Sequence, residues 1–153
     1  KNKVMNNKKI NIISLKVCKE KSVEYSFARI IKPKDILKLV KTAVGDTDRE
    51  YFMVINLNNQ NLPNSIEITS IGSLTETMVS PREVFKSAIV SNSARIILCH
   101  THPSGSTSPS DADIKITNVL VRIGKFLDIP VIDHLIVGGD SVYSLMENGD
   151  IKR

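Results

Sequence analysis

The chain has 153 residues, 41% hydrophobic, 24% charged and 5% aromatic, a size and composition that suit one domain with its own core. No apolar run approaches the roughly 18 residues of a membrane-spanning helix and no signal-peptide pattern is present; Cys18 and Cys99 lack CxxC spacing and offer no zinc knuckle, so a reduced, cytoplasmic protein is expected. The formal charge of +5 hides an asymmetry, because residues 1–41 hold 12 Lys/Arg against 3 Asp/Glu whereas residues 42–153 hold 9 against 13.

In chain order, residues 1–29 read as a basic N-terminal arm or strand, partly disordered, with an extended stretch near Lys9–Val17. Such an arm could touch phosphates on DNA or an acidic partner, and a merely solvated terminus is the plainer alternative. Aromatic stacking residues are few and no nucleic-acid reader motif is recognisable. A helix is predicted from about Pro33-Lys34-Asp35 to near Gly45. Strands follow at 51–57 and 66–72, and the turn cluster Asn58-Asn59-Gln60-Asn61 between them suggests a hairpin. A helix at 81–91 opens on Ser80-Pro81-Arg82-Glu83, which reads as N-cap, proline at N1 and capping-box acid at N3. The apolar run Ala94–Cys99 is a buried strand stopped by Pro103. A helix from Ser110 to about Leu127 and strands near 131–137 and 141–145, turned by Gly138-Gly139-Asp140, complete the order. Strands alternating with helices, plus adjacent hairpins, give an α/β fold with a mixed sheet flanked by helices.

The residues that carry chemistry are His100-Thr101-His102-Pro103-Ser104-Gly105 and Ser110-Asp111-Ala112-Asp113. Histidines at i and i+2 share a face only on an extended backbone, so both imidazoles leave the end of the predicted strand in one direction. Asp113 falls in the first turn of the next helix, close enough for the Pro/Ser/Gly-rich loop to fold it back on them. Two His and one Asp leave a tetrahedral zinc one open position, as a catalytic site requires. Taken alone, Ser110 and Asp113 are better explained as a helix cap, with the acid suiting the helix dipole, and it is the combined spacing with the histidines that favours a metal site.

His-Thr-His-Pro, followed after six residues by Ser-x-x-Asp, resembles the JAMM (MPN-plus) metalloprotease motif. His-x-His-Pro-Ser-Gly with Pro109-Ser110 is similar to its bacterial RadC branch. Pro81-Arg82-Glu83-Val84-Phe85-Lys86 and Asp133-His134-Leu135-Ile136-Val137-Gly138 also resemble RadC, so the likeness covers roughly residues 30 to 147 and marks 30–153 as a RadC-like MPN/JAMM domain. The resemblance implies a cytidine-deaminase-like architecture and a zinc-dependent hydrolase acting on a peptide or isopeptide bond. It implies His100, His102 and Asp113 as Zn2+ ligands, and Ser110 as a residue that helps hold the water and the developing oxyanion. The deaminases themselves need His-x-Glu and Pro-Cys-x-x-Cys, and the chain has neither. The family carries a DNA-repair name, which keeps a non-enzymatic DNA-associated or partner-binding module as the alternative.

The resemblance also requires a glutamate as general base. Of the seven glutamates, Glu83 already has a structural explanation as a cap. Glu50 opens the apolar run 51–57, and in the JAMM pattern the catalytic glutamate likewise begins an apolar strand upstream of the histidines. Glu50 is therefore the candidate, against the alternative of an exposed charge at a strand edge. His134, inside an apolar run, reads as a satisfied, partly buried histidine beside Asp133, or as a residue that orients a ligand through a hydrogen bond. It is not read as a ligand.

Overall fold

The computed structural model describes residues 8–26, 29–46, 48–72 and 79–152; the rest of the predicted arm, residues 1–7 and 27–28, lies outside these. From residue 8 to 26 the chain forms neither helix nor strand and is exposed almost throughout. Ile10, Ile12, Ile13, Leu15 and Val17 are all exposed, so Lys9–Val17 joins no sheet of this chain. The ordered elements are α1 (Pro33–Val44), β1 (Tyr51–Leu57), β2 (Pro63–Ile71), α2 (Pro81–Val90), β3 (Arg95–Thr101), α3 (Asp111–Phe126), β4 (Val131–Gly138) and β5 (Ser141–Ser144). Among the described residues no helix is long and apolar enough to cross a membrane.

The strands form one mixed sheet in the order β2-β1-β3-β4-β5. β1 runs antiparallel to β2 and β3, β4 runs parallel to β3, and β5 returns antiparallel along β4. The parallel pair needs a crossover, and α3 supplies it. Strand period sorts the two faces. Even-numbered Phe52, Val54, Ile96 and Leu98 pack against Val84, Phe85 and Ala88 of α2 and Leu120 and Val121 of α3. Odd-numbered Met53, Ile55, Leu57, Ile97 and Cys99 pack against Ile36, Leu39 and Val40 of α1. The same parity puts His100 on the α2/α3 face, beneath the start of α3.

Two glycines allow close approaches, one at each end of β4. A Cβ on Gly124 would stand 2.7 Å from the Ile129 carbonyl oxygen, so the last turns of α3 can lie against the chain entering β4 only with glycine there. A Cβ on Gly138 would stand 2.4 Å from the carbonyl oxygen of Gly105, where the loop after β3 crosses the end of β4. The His102 N–H donates to the Val137 carbonyl at 2.8 Å beside that crossing, extending the β3–β4 ladder past its last paired residue.

Two local expectations are corrected. Ser80 is the N-cap of α2 with Pro81 behind it, but no side-chain cap hydrogen bond forms. Glu83 instead pairs with Lys86 one turn on, a solvent-side partner competing for the same carboxylate. β2 begins at Pro63 rather than 66. Proline is tolerated there because it is the first residue of an edge strand, where no ladder N–H is required. The hairpin turn uses Asn58, whose Oδ1 accepts from the N–H groups of Gln60 and Leu62 at 2.9 and 3.0 Å.

Candidate metal centre

His100 is the penultimate residue of β3 and is fully buried; His102 lies just beyond the strand and is half-buried. Their rings lie 4.6 Å apart between centroids, and their Nε2 atoms face each other at 2.8 Å. The extended backbone thus brings both imidazoles to one place. The Nδ1 of His102 lies 2.9 Å from the Ser106 carbonyl oxygen. A carbonyl only accepts, so this nitrogen carries the proton and Nε2 presents a lone pair. Ser106 is held for this by turns in which its N–H donates to Ser104 Oγ, and that of Gly105 to the His102 carbonyl.

Asp113 divides its two carboxylate oxygens. Oδ2 accepts from the backbone N–H and the hydroxyl of Ser110, both at 2.7 Å, while Ser110 Oγ accepts from the Asp113 N–H at 3.2 Å. This is a complete capping box on α3. Oδ1 remains, 3.6 Å from His100 Nε2 and so beyond hydrogen-bond length. Capping and ligation were rival readings of Ser110 and Asp113, and the geometry accommodates both: the cap orients the carboxylate, and its second oxygen turns to the histidines.

Glu50 is half-buried and immediately precedes β1. Phe52 pairs with His100 across the antiparallel β1–β3 ladder, and the Tyr51 N–H donates to Thr101 Oγ1 at 3.0 Å. Carried one residue past the ladder, the same alternation would bring Glu50 across from His102, toward the face shared by Phe52 and His100. The Gly72 N–H donates to the Glu50 carbonyl at 2.8 Å and steadies its backbone from the β2 side.

His134 on β4 is fully buried, not partly, and its ring does not bond Asp133. Its Nε2 lies 2.9 Å from His100 Nδ1 and its Nδ1 lies 2.6 Å from the hydroxyl of Thr117 on α3. Asp133 has a different task. Its carboxylate accepts from the backbone N–H groups of His134 and Met146 and from the Ser144 hydroxyl, tying the β4–β5 hairpin to the turn after it. Thr117 was not singled out from the sequence; its signal is the i+4 spacing from Asp113, which puts both on one helix face.

Burial drives the pKa of His100 down to about 4, with Asp113 opposing and His102 reinforcing the shift, and burial also lowers that of His134. An unfolded chain takes up the His100 proton near 6.5. Below that pH the unfolded state binds more protons than the folded one, so stability falls as pH falls from 6.5 toward 4, by up to about 3 kcal/mol from His100 alone. His134 acts in the same direction, whereas Asp133, raised by burial, opposes it. Urea midpoints of chelator-treated protein should therefore drop across this window. A flat profile would mean that these imidazoles are not held neutral.

His100, His102 and Asp113 each offer one ligand atom, all within 4.8 Å of one another. Ligands about 2.0–2.1 Å from a tetrahedral zinc stand roughly 3.3 Å apart; the two separations from His100 Nε2, 2.8 Å to His102 and 3.6 Å to Asp113, lie either side of that value. Two nitrogens and a carboxylate oxygen form the borderline-soft donor set that suits zinc, so these residues fit the ion. Residues 30–150 match the family model described as "RadC-like JAB domain". A UPF0758 protein of Methanosarcina mazei is 41% identical over 133 residues, covering 87% of this chain and 58% of the relative. One from Alkaliphilus metalliredigens is 47% identical over 119 residues, covering 78% and 51%. The chain thus spans little more than half the length of the curated relatives it matches. With the family model extending from before α1 to past β5, the chain belongs to the RadC-like JAB-domain family.

Proposed function

We propose that this domain is a zinc-dependent hydrolase of peptide or isopeptide bonds. The observation that carries the reading is the convergence of His100, His102 and Asp113, three acceptor atoms at the end of β3 in a largely buried place. Held there, zinc would supply Lewis acidity and a lowered pKa for water.

The chain's own residues supply the rest. Glu50 is the group assigned to take a proton from water and return it to the leaving amine. Ser110 is exposed, which supports a role for its hydroxyl toward substrate. In the resting structure that hydroxyl donates to Asp113 Oδ2. Redirected toward substrate, it becomes a donor for the developing oxyanion. Protein conjugates and short peptides are the proposed substrate class.

The test is a panel of peptide and isopeptide conjugates incubated with zinc-loaded protein. Cleavage that chelator abolishes and added zinc restores is expected. Cleavage indifferent to chelator would refute the zinc-dependent reading.

A non-enzymatic DNA-associated or partner-binding role is the second reading, favoured by the exposed lysine-bearing segment 8–26. Salt-dependent DNA binding that survives loss of both histidines and disappears with residues 1–29 would support it. The truncation has to stop short of Ile30 and α1, whose Ile36, Leu39 and Val40 belong to the core.

A further inference from the structure

We propose that Thr117 and His134 are positioning residues that fix the ring orientation and tautomer of His100, so that its Nε2 presents a lone pair to the metal centre. The proposal rests on the metal reading above for its purpose, but the proton order it claims is a property of the metal-free chain.

The order follows from one fixed end. The Thr117 hydroxyl lies 2.5 Å from the backbone carbonyl oxygen of Asp113, and a carbonyl only accepts, so the hydroxyl donates. Its single proton is then spent. At the 2.6 Å contact with His134 the hydroxyl oxygen must accept, which puts the His134 proton on Nδ1. A neutral imidazole carries one N–H, so His134 Nε2 is an acceptor. At the 2.9 Å contact with His100, Nδ1 of His100 must donate, and the lone pair of His100 is left on Nε2, facing His102 and Asp113.

Back-bonding of a helical threonine to its i−4 carbonyl is commonplace. What makes Thr117 more than that is its second contact, to a ring that itself touches a candidate ligand. Thr117, His134 and His100 are all fully buried, and Phe52 covers the two rings, stacked on His100 at 6.4 Å and edge-on to His134 at 5.6 Å. Water is kept from the relay and cannot substitute for a lost member. The loop is closed on itself: the Asp113 side chain faces the centre, and its main chain sets the tautomer of the histidine opposite.

The chain has three histidines, so nitrogen-resolved NMR of histidine-labelled, metal-free protein can assign each tautomer. His100 and His134 are both expected with the proton on Nδ1, opposite to the preference of an imidazole in water. A His100 proton on Nε2 in the wild type overturns the proposal without any variant. Thr117→Val keeps the shape and removes the hydroxyl. It should lose the fixed His134 tautomer and weaken zinc binding, measured by competition with a chelator, by about 10- to 100-fold. Thr117→Ser should restore both, which a purely packing role for the threonine would not predict. Wild-type tautomer and affinity in Thr117→Val would overturn the relay. A wild type with the expected tautomers that takes up no zinc would instead overturn the metal reading and leave the proton order standing.

Discussion

Replacing His100 and His102 together with alanine is expected to take the metal content from about one zinc per chain to none, in protein purified without chelator or a histidine tag. The effect is all-or-none because one carboxylate oxygen, Asp113 Oδ1, is all that remains of the converging donor set. The two positions differ in what else they disturb. His100 is fully buried and donates to His134, so its loss leaves a buried acceptor unpaired at a cost of about 1–3 kcal/mol. His102 is only half-buried and bonds a loop carbonyl. His102→Ala alone should therefore fold like the wild type while losing most of its zinc, and it separates loss of metal from loss of structure. Zinc retained by the double variant would place the ion elsewhere. A wild type that takes up no zinc at neutral pH would leave Asp113 and Ser110 as the helix cap they also are, and would favour the binding-module reading.

The part of this centre that was legible in the sequence is the part set by short-range geometry. His100 and His102 share a face because strand side chains alternate, and that needs only the apolar run before them and Pro103 after. Ser110 and Asp113 could be placed because a capping box is a four-residue pattern. The mixed sheet was legible from the alternation of elements, although the insertion of β1 between β2 and β3 was not, since strand order depends on contacts remote in sequence. The same limit explains His134. Its neighbour in the chain, Asp133, suggested a local pair, but successive strand residues point apart. Its actual partners come from β3 and α3, 34 and 17 residues away. Thr117 went unnoticed because a threonine inside a helix has an ordinary explanation until the ring beyond its hydroxyl is seen. Glu83 failed as a capping-box acid for a different reason: two partners of similar worth, a backbone N–H and Lys86, compete for one exposed carboxylate.

Glu50→Gln is expected to keep its zinc and lose hydrolysis by about 10²- to 10⁴-fold, the usual worth of a general base. Glutamine has nearly the same shape and can still hydrogen-bond, but its amide takes no proton from water. Glu50 does not belong to the set of converging donors, so metal content should not change. The loss should fall on kcat, with KM little altered, because the missing proton transfer belongs to the transition state rather than to ground-state binding. Glu83→Gln is the matched control: Glu83 lies on α2 in an exposed pair with Lys86, and that variant should turn over substrate at the wild-type rate. The contrast tests the strand register as much as the chemistry. Phe52 opposite His100, with Tyr51 tied to Thr101, is the register that, carried one residue further, would bring Glu50 across from His102. A Glu50→Gln variant that hydrolyses substrate normally would show that the base comes from another element, and that this end of β1 serves only to cover the site.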